Sequence, residues 1–238
     1  VPPPTAADEA ARAPRAPLDR AGRRALAGRH ATGLVLVVVV YTLVTILRSI
    51  RDDYAPELFR GLGAPAAPSA FARVDMWVAA GALVVSGAGV FLRDNRRAFF
   101  TALAWCLAGC LVLVATGIVA RFVRLPAFAF MVTAGLGLSI PYVVIHTTVF
   151  ERLLAATRDV GNIGFLMQVA DAFGYLGYVA VMLGRGWLGS RDPESLAGFF
   201  VTACTVCGAA GAVALLAAAA TFATTLPGRD RRSATADG

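Results

Sequence analysis

The apolar residues of this chain fall into long blocks, and this feature limits the possible folds more than any other. Six blocks are candidate membrane spans: about Ala31–Leu47, Val74–Leu92, Ala98–Ala120, Leu125–Val149, Gly161–Leu183 and Leu196–Thr224. About 20 apolar residues cross a hydrocarbon core as a helix, although the first block is short by this measure. Because backbone groups in lipid must bond within their own segment, we predict an all-α protein of six transmembrane helices.

The arginines predict the orientation of these helices. All 22 basic residues are Arg, which is typical of a GC-rich genome. One alternating set of flanks, which includes both chain ends, holds fourteen of them, and the other set holds eight. Because cytoplasmic loops carry the excess of Arg, we expect both termini inside a bacterial cytoplasmic (inner) membrane. This rule also explains the net charge of +7 without a nucleic-acid partner.

The flanking segments predict a three-part organisation. Residues 1–30 are rich in Ala, Pro and Arg and are expected to be a disordered basic cytoplasmic tail or central linker. Within them, a short basic helix on the anionic leaflet is the alternative. The six-helix domain then covers residues 31–226, and residues 227–238 form a second disordered tail. Because the chain begins with Val, we expect an alternative start codon or the downstream part of a longer protein.

One face of the fifth block is polar, although the block is long enough to cross a bilayer. This polar stripe consists of Gly164, Gln168, Asp171, Tyr175 and Tyr178. Steps of four and three residues place all five on one helix face. A carboxylate near the bilayer centre costs about 2.5–3.5 kcal/mol on insertion scales unless it is paired, protonated or hydrated. The stripe therefore predicts a helix that lines an interior.

The first block provides a candidate partner for Asp171. If its helix continues to about Leu58, one face carries Tyr41, Thr45, Arg48 and Asp52. Arg48 would then lie about 5 Å past the midpoint of the helix, where its guanidinium could pair with Asp171. The alternative is that the helix ends at Leu47 and Arg48 extends to the membrane interface.

The fourth block contains a helix breaker beside two further polar side chains. Pro141 removes one helical hydrogen bond and is expected to kink the helix. Tyr142 and His146 follow it, one turn apart. His146 is a candidate proton relay or anion ligand, and a purely structural role near the interface is the alternative.

Signals for catalysis are absent from the sequence. The chain contains no HExxH and no GxSxG, so we expect neither an enzyme nor a cofactor. Cys204 and Cys207 form a CxxC pair in the sixth block, but no His or acidic residue stands beside them. We interpret them as small packing residues and expect no metal site. In the same block Ala203, Cys207 and Gly211 form a small-residue face that favours close helix contact.

The arrangement of these features resembles one half of a major facilitator superfamily transporter. The resemblance rests on six spans with both ends inside, polar or broken helices at positions one and four, and the basic turn Gly89–Arg97. Such transporters combine two six-helix halves, each built from inverted three-helix repeats. The resemblance implies that helices one and four line a cavity. It also implies a partner half, supplied by an upstream segment or a second copy of the chain.

Two further stretches carry a resemblance. Arg48-x4-Asp53-Tyr54-x-Pro56 is similar to the seventh helix of organophosphate:phosphate antiporters, in which the Arg belongs to the phosphate site. This implies that Arg48 is an anion ligand. RSIRDDYAPEL, together with HTTVFERL and the fifth block, resembles an uncharacterised bacterial MFS-like membrane family over most of residues 34–185.

These observations lead to two hypotheses about function. The first is a transporter half of unknown substrate, with a small organic anion as the candidate. Its expected pathway residues are Arg48, Asp171, Gln168, Tyr175, Tyr142 and His146. The second is a membrane scaffold or sensor that transports nothing, in which the polar stripe packs against other helices.

Overall fold

A computed structural model describes residues 20–88, 94–123, 125–157, 163–188 and 192–226. Their helices are α1 (Arg20–Asp53), α2 (Ala55–Gly61), α3 (Pro68–Ala88), α4 (Asn95–Phe122), α5 (Ala127–Val144), α6 (Phe150–Thr157), α7 (Ile163–Leu188) and α8 (Pro193–Thr225). A π-helical turn, Ile145–Val149, joins α5 to α6. These ranges contain no strand, so the predicted all-α fold is confirmed for the part of the chain they cover.

Five helical segments are long and apolar enough to cross a membrane: His30–Asp53, Pro68–Ala88, Asn95–Phe122, Ala127–Leu153 and Pro193–Thr225. They correspond to predicted spans one, two, three, four and six. The fifth predicted span is helical in α7 but does not belong to this group. The side chains at both of its ends lie outside the described part. Its passage through the membrane stays a prediction.

The first helix begins before its apolar block. Residues 20–30, which the sequence places in the N-terminal tail, are helical, and the backbone departs from helical geometry at His30 (φ −124°, ψ 17°). This arrangement matches the alternative of a short basic helix ahead of the first span. Residues 1–19 and 227–238 lie outside the described residues, and the predicted disorder there stays a prediction.

Two aspartates set helix starts. The Asp94 side chain accepts a hydrogen bond from the backbone N–H of Arg97 at 3.0 Å, which caps α4. The Asp192 side chain accepts one from the N–H of Ser195 at 3.2 Å, and Pro193 occupies the first turn of α8. Such caps satisfy backbone donors that lack partners at a helix N-terminus.

The long helices form a bundle with α4 and α8 in contact. α5 packs on α4, α1 packs on α8, and α1 and α5 also contact each other. α3 lies against α5, and α7 lies against α1. The buried apolar side chains form two clusters, one around Tyr41 and Phe222 and the other around Phe130 and Phe200. α1 and α5 therefore lie inside the bundle, each covered by a more exposed helix.

Small residues allow α4 and α8 to approach closely. A Cβ added at Gly208 would lie 2.9 Å from the Cys110 carbonyl oxygen, and one at Gly211 would lie 2.9 Å from the Cys110 sulfur. Cys204 is buried on the same side of α8. Gly211 thus has its predicted packing role, while the rest of the small-residue face is shifted by one residue, from Ala203 and Cys207 to Cys204 and Gly208.

Candidate functional site

The first helix continues past its apolar block and ends at Asp53, so the longer of the two predicted helices forms. The predicted polar face is therefore a continuous surface of α1. Tyr41 and Thr45 are buried, Arg48 is partly buried and Asp52 is exposed. The apolar count alone places the end too early, because the arginines beyond Leu47 find carboxylates and a backbone carbonyl to bond.

The partner of Asp171 is a tyrosine. Tyr41 Oη donates a hydrogen bond to Asp171 Oδ1 at 2.5 Å. Among the described ion pairs, Arg48 contacts Asp52 instead, with Nη2 3.7 Å from Oδ2. The predicted Arg48–Asp171 pair is therefore replaced by a Tyr41–Asp171 hydrogen bond. Tyr41 lies two turns before Arg48, about 10 Å along the same helix face, and this places the phenol at the level of the carboxylate.

Three rings stack beside this hydrogen bond. The Tyr41 and Tyr142 rings are 5.2 Å apart, and His146 lies 6.3 Å from Tyr41 and 6.1 Å from Tyr142. Tyr41 Oη also lies 3.5 Å from His146 Nδ1, the outer limit of a hydrogen bond. The Arg48 guanidinium sits over the Tyr142 ring, 4.6 Å from its centroid. We call these five residues, from α1, span four and α7, the central cluster.

A local irregularity of span four positions His146. Pro141 lies inside α5 and cannot donate the hydrogen bond that a helical N–H would make. One turn later the backbone forms the π-helical turn Ile145–Val149, which contains His146. Single π-helical turns in α-helices occur frequently at functional sites. The predicted irregularity thus appears just after the proline and turns the imidazole toward Tyr41.

The chemistry of the central cluster follows from its donors and acceptors. The Tyr41 hydroxyl has one proton, which it donates in the hydrogen bond to Asp171, so its oxygen can accept a hydrogen bond from His146. Arg48 presents its guanidinium face to Tyr142, which leaves N–H groups at its edge able to bind an anion or a carboxylate. The central cluster therefore places groups that can carry a proton, on Tyr41, Asp171 and His146, beside the cation of Arg48.

The polar stripe of α7 divides between two environments. Asp171 and Tyr178 both bond to α1, since Tyr178 donates to the Asp53 carboxylate. Gln168 and Tyr175 are exposed, with Tyr175 at 62%. The surroundings of Gly164 lie outside the described part. The structure therefore gathers Arg48, Asp171, Tyr142 and His146 and leaves Gln168 and Tyr175 on an open surface of the bundle.

A second polar group escaped the sequence analysis. Arg51 is 5% exposed. Its Nε donates to the Met131 carbonyl at 3.3 Å, its Nη1 to Asp52 at 2.6 Å and its Nη2 to Asp75 at 3.1 Å. These contacts join α1, α3 and α5. The sequence contains a signal for the burial of Arg51, because Arg51 follows Val44 and Leu47 at helical spacing and these two residues are buried.

A cleft of about 350 Å³ opens beside Arg51. Asp52, Asp53 and Asp75 contribute carboxylates to its wall, and Phe59 and Phe71 contribute aromatic rings. No group of three or more His, Cys, Asp or Glu within the described ranges could hold a metal ion. The carboxylates of Asp52 and Asp75 form ion pairs with Arg51. At this end of the bundle, α1 and α3 are therefore joined by an ion pair.

Comparison with known protein families assigns the chain to a family. A family model for a family of unknown function, DUF5690, matches residues 1–225. No curated protein and no solved structure matches the chain. The family match spans α1 to the last residue of α8 and includes both polar groups. The chain therefore belongs to DUF5690, a family of unknown function.

Proposed function

We propose that this chain is one six-helix half of a major-facilitator-type transporter in a bacterial cytoplasmic membrane. Its cargo is a small organic anion, and α7 is the fifth of its six spans. A second half, either an upstream segment or a second copy, completes the pathway.

The observation that carries this proposal is the symmetry of helix packing. The six spans in chain order are α1, α3, α4, α5, α7 and α8. The symmetry exchanges the first three with the last three, so that α1 takes the place of α5, α3 that of α7, and α4 that of α8. The contact of α1 with α7 then becomes that of α5 with α3, and the contact of α1 with α8 becomes that of α5 with α4. The α4–α8 and α1–α5 contacts map onto themselves. Two inverted three-helix repeats produce this pattern.

The short helices obey the same exchange. α2 follows span one and packs against α8, while α6 follows span four and packs against α4. The exchange converts one of these contacts into the other. A scaffold without internal repeats has no reason to repeat such a detail, so the short helices support the proposal independently of the long ones.

The positions of the polar side chains support the proposed repeat. The first helix of each repeat, α1 or α5 with its π-helical turn, contributes Tyr41 and Arg48 or Tyr142 and His146 to the central cluster. Membrane-embedded charges mark solute and ion pathways when they face a protein interior or a water-filled cavity. Arg48 is only partly buried and keeps edge donors for an anion.

An uptake experiment tests the proposal. Cells expressing the gene are offered a panel of radiolabelled phosphorylated and carboxylated metabolites. We expect at least one to accumulate with the wild type and not with Arg48→Gln or Asp171→Asn at equal amounts of protein in the membrane. Arg73→Gln is the control, because Arg73 is an exposed arginine on α3. Accumulation that survives both substitutions contradicts the proposal, and accumulation of no panel member favours the scaffold or sensor.

A further inference from the structure

We infer that Asp171 and His146 share a transported proton through the Tyr41 hydroxyl, which makes H⁺ the coupling ion of the pathway. This inference rests on the proposed function and adds to it the identity of the coupled ion. The three groups come from three different spans: α7, the π-helical turn of span four, and α1. A movement of these helices relative to one another would therefore make or break the relay.

The hydroxyl is placed to pass a proton in either direction. It donates to Asp171 Oδ1 at 2.5 Å and lies 3.5 Å from His146 Nδ1. When His146 carries a proton on Nδ1 and approaches, that N–H bond breaks and the proton goes to Tyr41 Oη. The original Tyr41 proton then goes to Asp171 Oδ1, where a new O–H bond forms. Hydrogen bonds used in proton transfer are often long in resting structures and shorten in the working state.

The charge of the relay changes only when a proton enters or leaves it. With neutral His146 and ionised Asp171 the pair carries a charge of −1. One added proton brings it to zero, on either residue. Arg48 lies two turns from Tyr41 on the same helix face. At about 10 Å and an effective dielectric of about 20, the lost charge should tighten anion binding at Arg48 on the order of tenfold. Proton and anion would thus be taken up together.

Few other ionisable groups surround the relay among the described residues. Arg48 and Tyr142 face it from α1 and α5. α4 adds the buried thiols of Cys106 and Cys110, and α8 adds apolar side chains such as Ala212 and Leu215. α6 carries the exposed Glu151, and Arg152, which donates to Asn95 at 2.8 Å. No second carboxylate in this set contacts Tyr41, so a protonated acid that depends on Tyr41 must be Asp171.

Infrared difference spectroscopy of the purified full-length chain tests the relay, with H⁺ itself as the probe. The carbonyl stretch of a protonated carboxylic acid is followed against pH. We expect a band that Asp171→Asn removes and whose titration midpoint moves in His146→Gln. In a Tyr41→Phe background, His146→Gln should move the midpoint no further, because the bridging hydroxyl is gone. The control is Tyr54→Phe, which removes a hydroxyl bonded to Met182 Sδ at 3.3 Å.

Three outcomes overturn the inference. The first is a wild type without an acid band that Asp171→Asn removes. The second is an equal shift by His146→Gln with and without Tyr41, and the third is an equal effect of Tyr54→Phe and Tyr41→Phe. The readout needs no solute, so its failure is separate from failure of the proposed function. Uptake that depends on Arg48 without a Tyr41-dependent band leaves a transporter that is not coupled to this relay.

Discussion

The contacts of Arg51 predict an order of stabilities that counting interactions would miss. The Arg51 side chain is 6% exposed, whereas the side chains of its two carboxylate partners are 41% exposed at Asp52 and 68% at Asp75. Removing the cation leaves two carboxylates that water can reach. Removing both carboxylates leaves a buried cation with the Met131 carbonyl as its remaining partner among the described contacts.

The magnitudes follow from this asymmetry. Exposed ion pairs contribute about 0–1 kcal/mol, so Arg51→Met should lower the unfolding free energy by about 1 kcal/mol. An uncompensated buried charge costs about 3–5 kcal/mol, and we expect that loss in the double variant Asp52→Ala/Asp75→Ala. Adding Arg51→Met to the double variant removes the buried charge. The triple variant should therefore regain about 2–4 kcal/mol relative to the double variant.

Reversible unfolding in mixed micelles, followed by tryptophan fluorescence, measures these differences. Arg73→Met is the matched control. Arg73 is exposed, and its cation–π contact, 5.7 Å from the Phe128 ring centroid, should contribute at most about 1 kcal/mol, well below the loss expected for the double variant. Asp52 also contacts Arg48 at 3.7 Å, but Arg48 is partly exposed and can be hydrated. A triple variant no more stable than the double variant would refute the assignment of Arg51 as a buried, charge-dependent contact.

Two further predictions concern helix packing and helix ends. Gly208→Val should lower the unfolding free energy by about 1–3 kcal/mol, because a Cβ at this position would lie 2.9 Å from the Cys110 carbonyl oxygen. Gly198→Val on the same helix has no atom within 4 Å of the added Cβ; equal melting temperatures for the two variants would argue against close α4–α8 contact. Asp192→Ala should cost about 0.5–2 kcal/mol by removing the α8 cap, whereas Asp192→Asn keeps an acceptor oxygen and should behave like the wild type. An equal loss of stability in both Asp192 variants would mean that the cap contributes nothing.

The sequence locates the helices well because the main constraint is local. Within a membrane, an apolar block long enough to cross it is helical because its backbone groups must bond within the segment. All six predicted spans therefore fall on helices, and five of these are long and apolar enough to cross a membrane. The C-terminal end of α1 was harder to predict. Apart from the buried Ile50, its last residues, Arg48 to Asp53, are polar, and only their contacts with Asp75, Met131 and Tyr178 show how a polar turn is accommodated.

The candidate site was predictable in its members more than in its pairings. Helical spacing placed Tyr41 and Arg48 on one face of α1 and Asp171 on the polar face of α7. Which of the two meets Asp171 depends on the axial offset between α1 and α7. That offset is set by tertiary contacts such as Gly174, where an added Cβ would lie 2.9 Å from Thr45. Such an offset has no counterpart in a single-sequence pattern, so the charge-based pairing with Arg48 was the natural expectation.

Thiol labelling tests most directly the central claim that the polar stripe of α7 lines a water-filled pathway. Tyr175 and Leu176 are adjacent and almost equally exposed on this bundle, at 62% and 65%, but they point in directions about 100° apart. In a background without the four native cysteines, Tyr175→Cys and Leu176→Cys are treated with a water-soluble maleimide in intact membranes. Thiols react as thiolates, which requires water. A pathway predicts fast labelling at 175 and little at 176, and equal protection of both positions would contradict the claim.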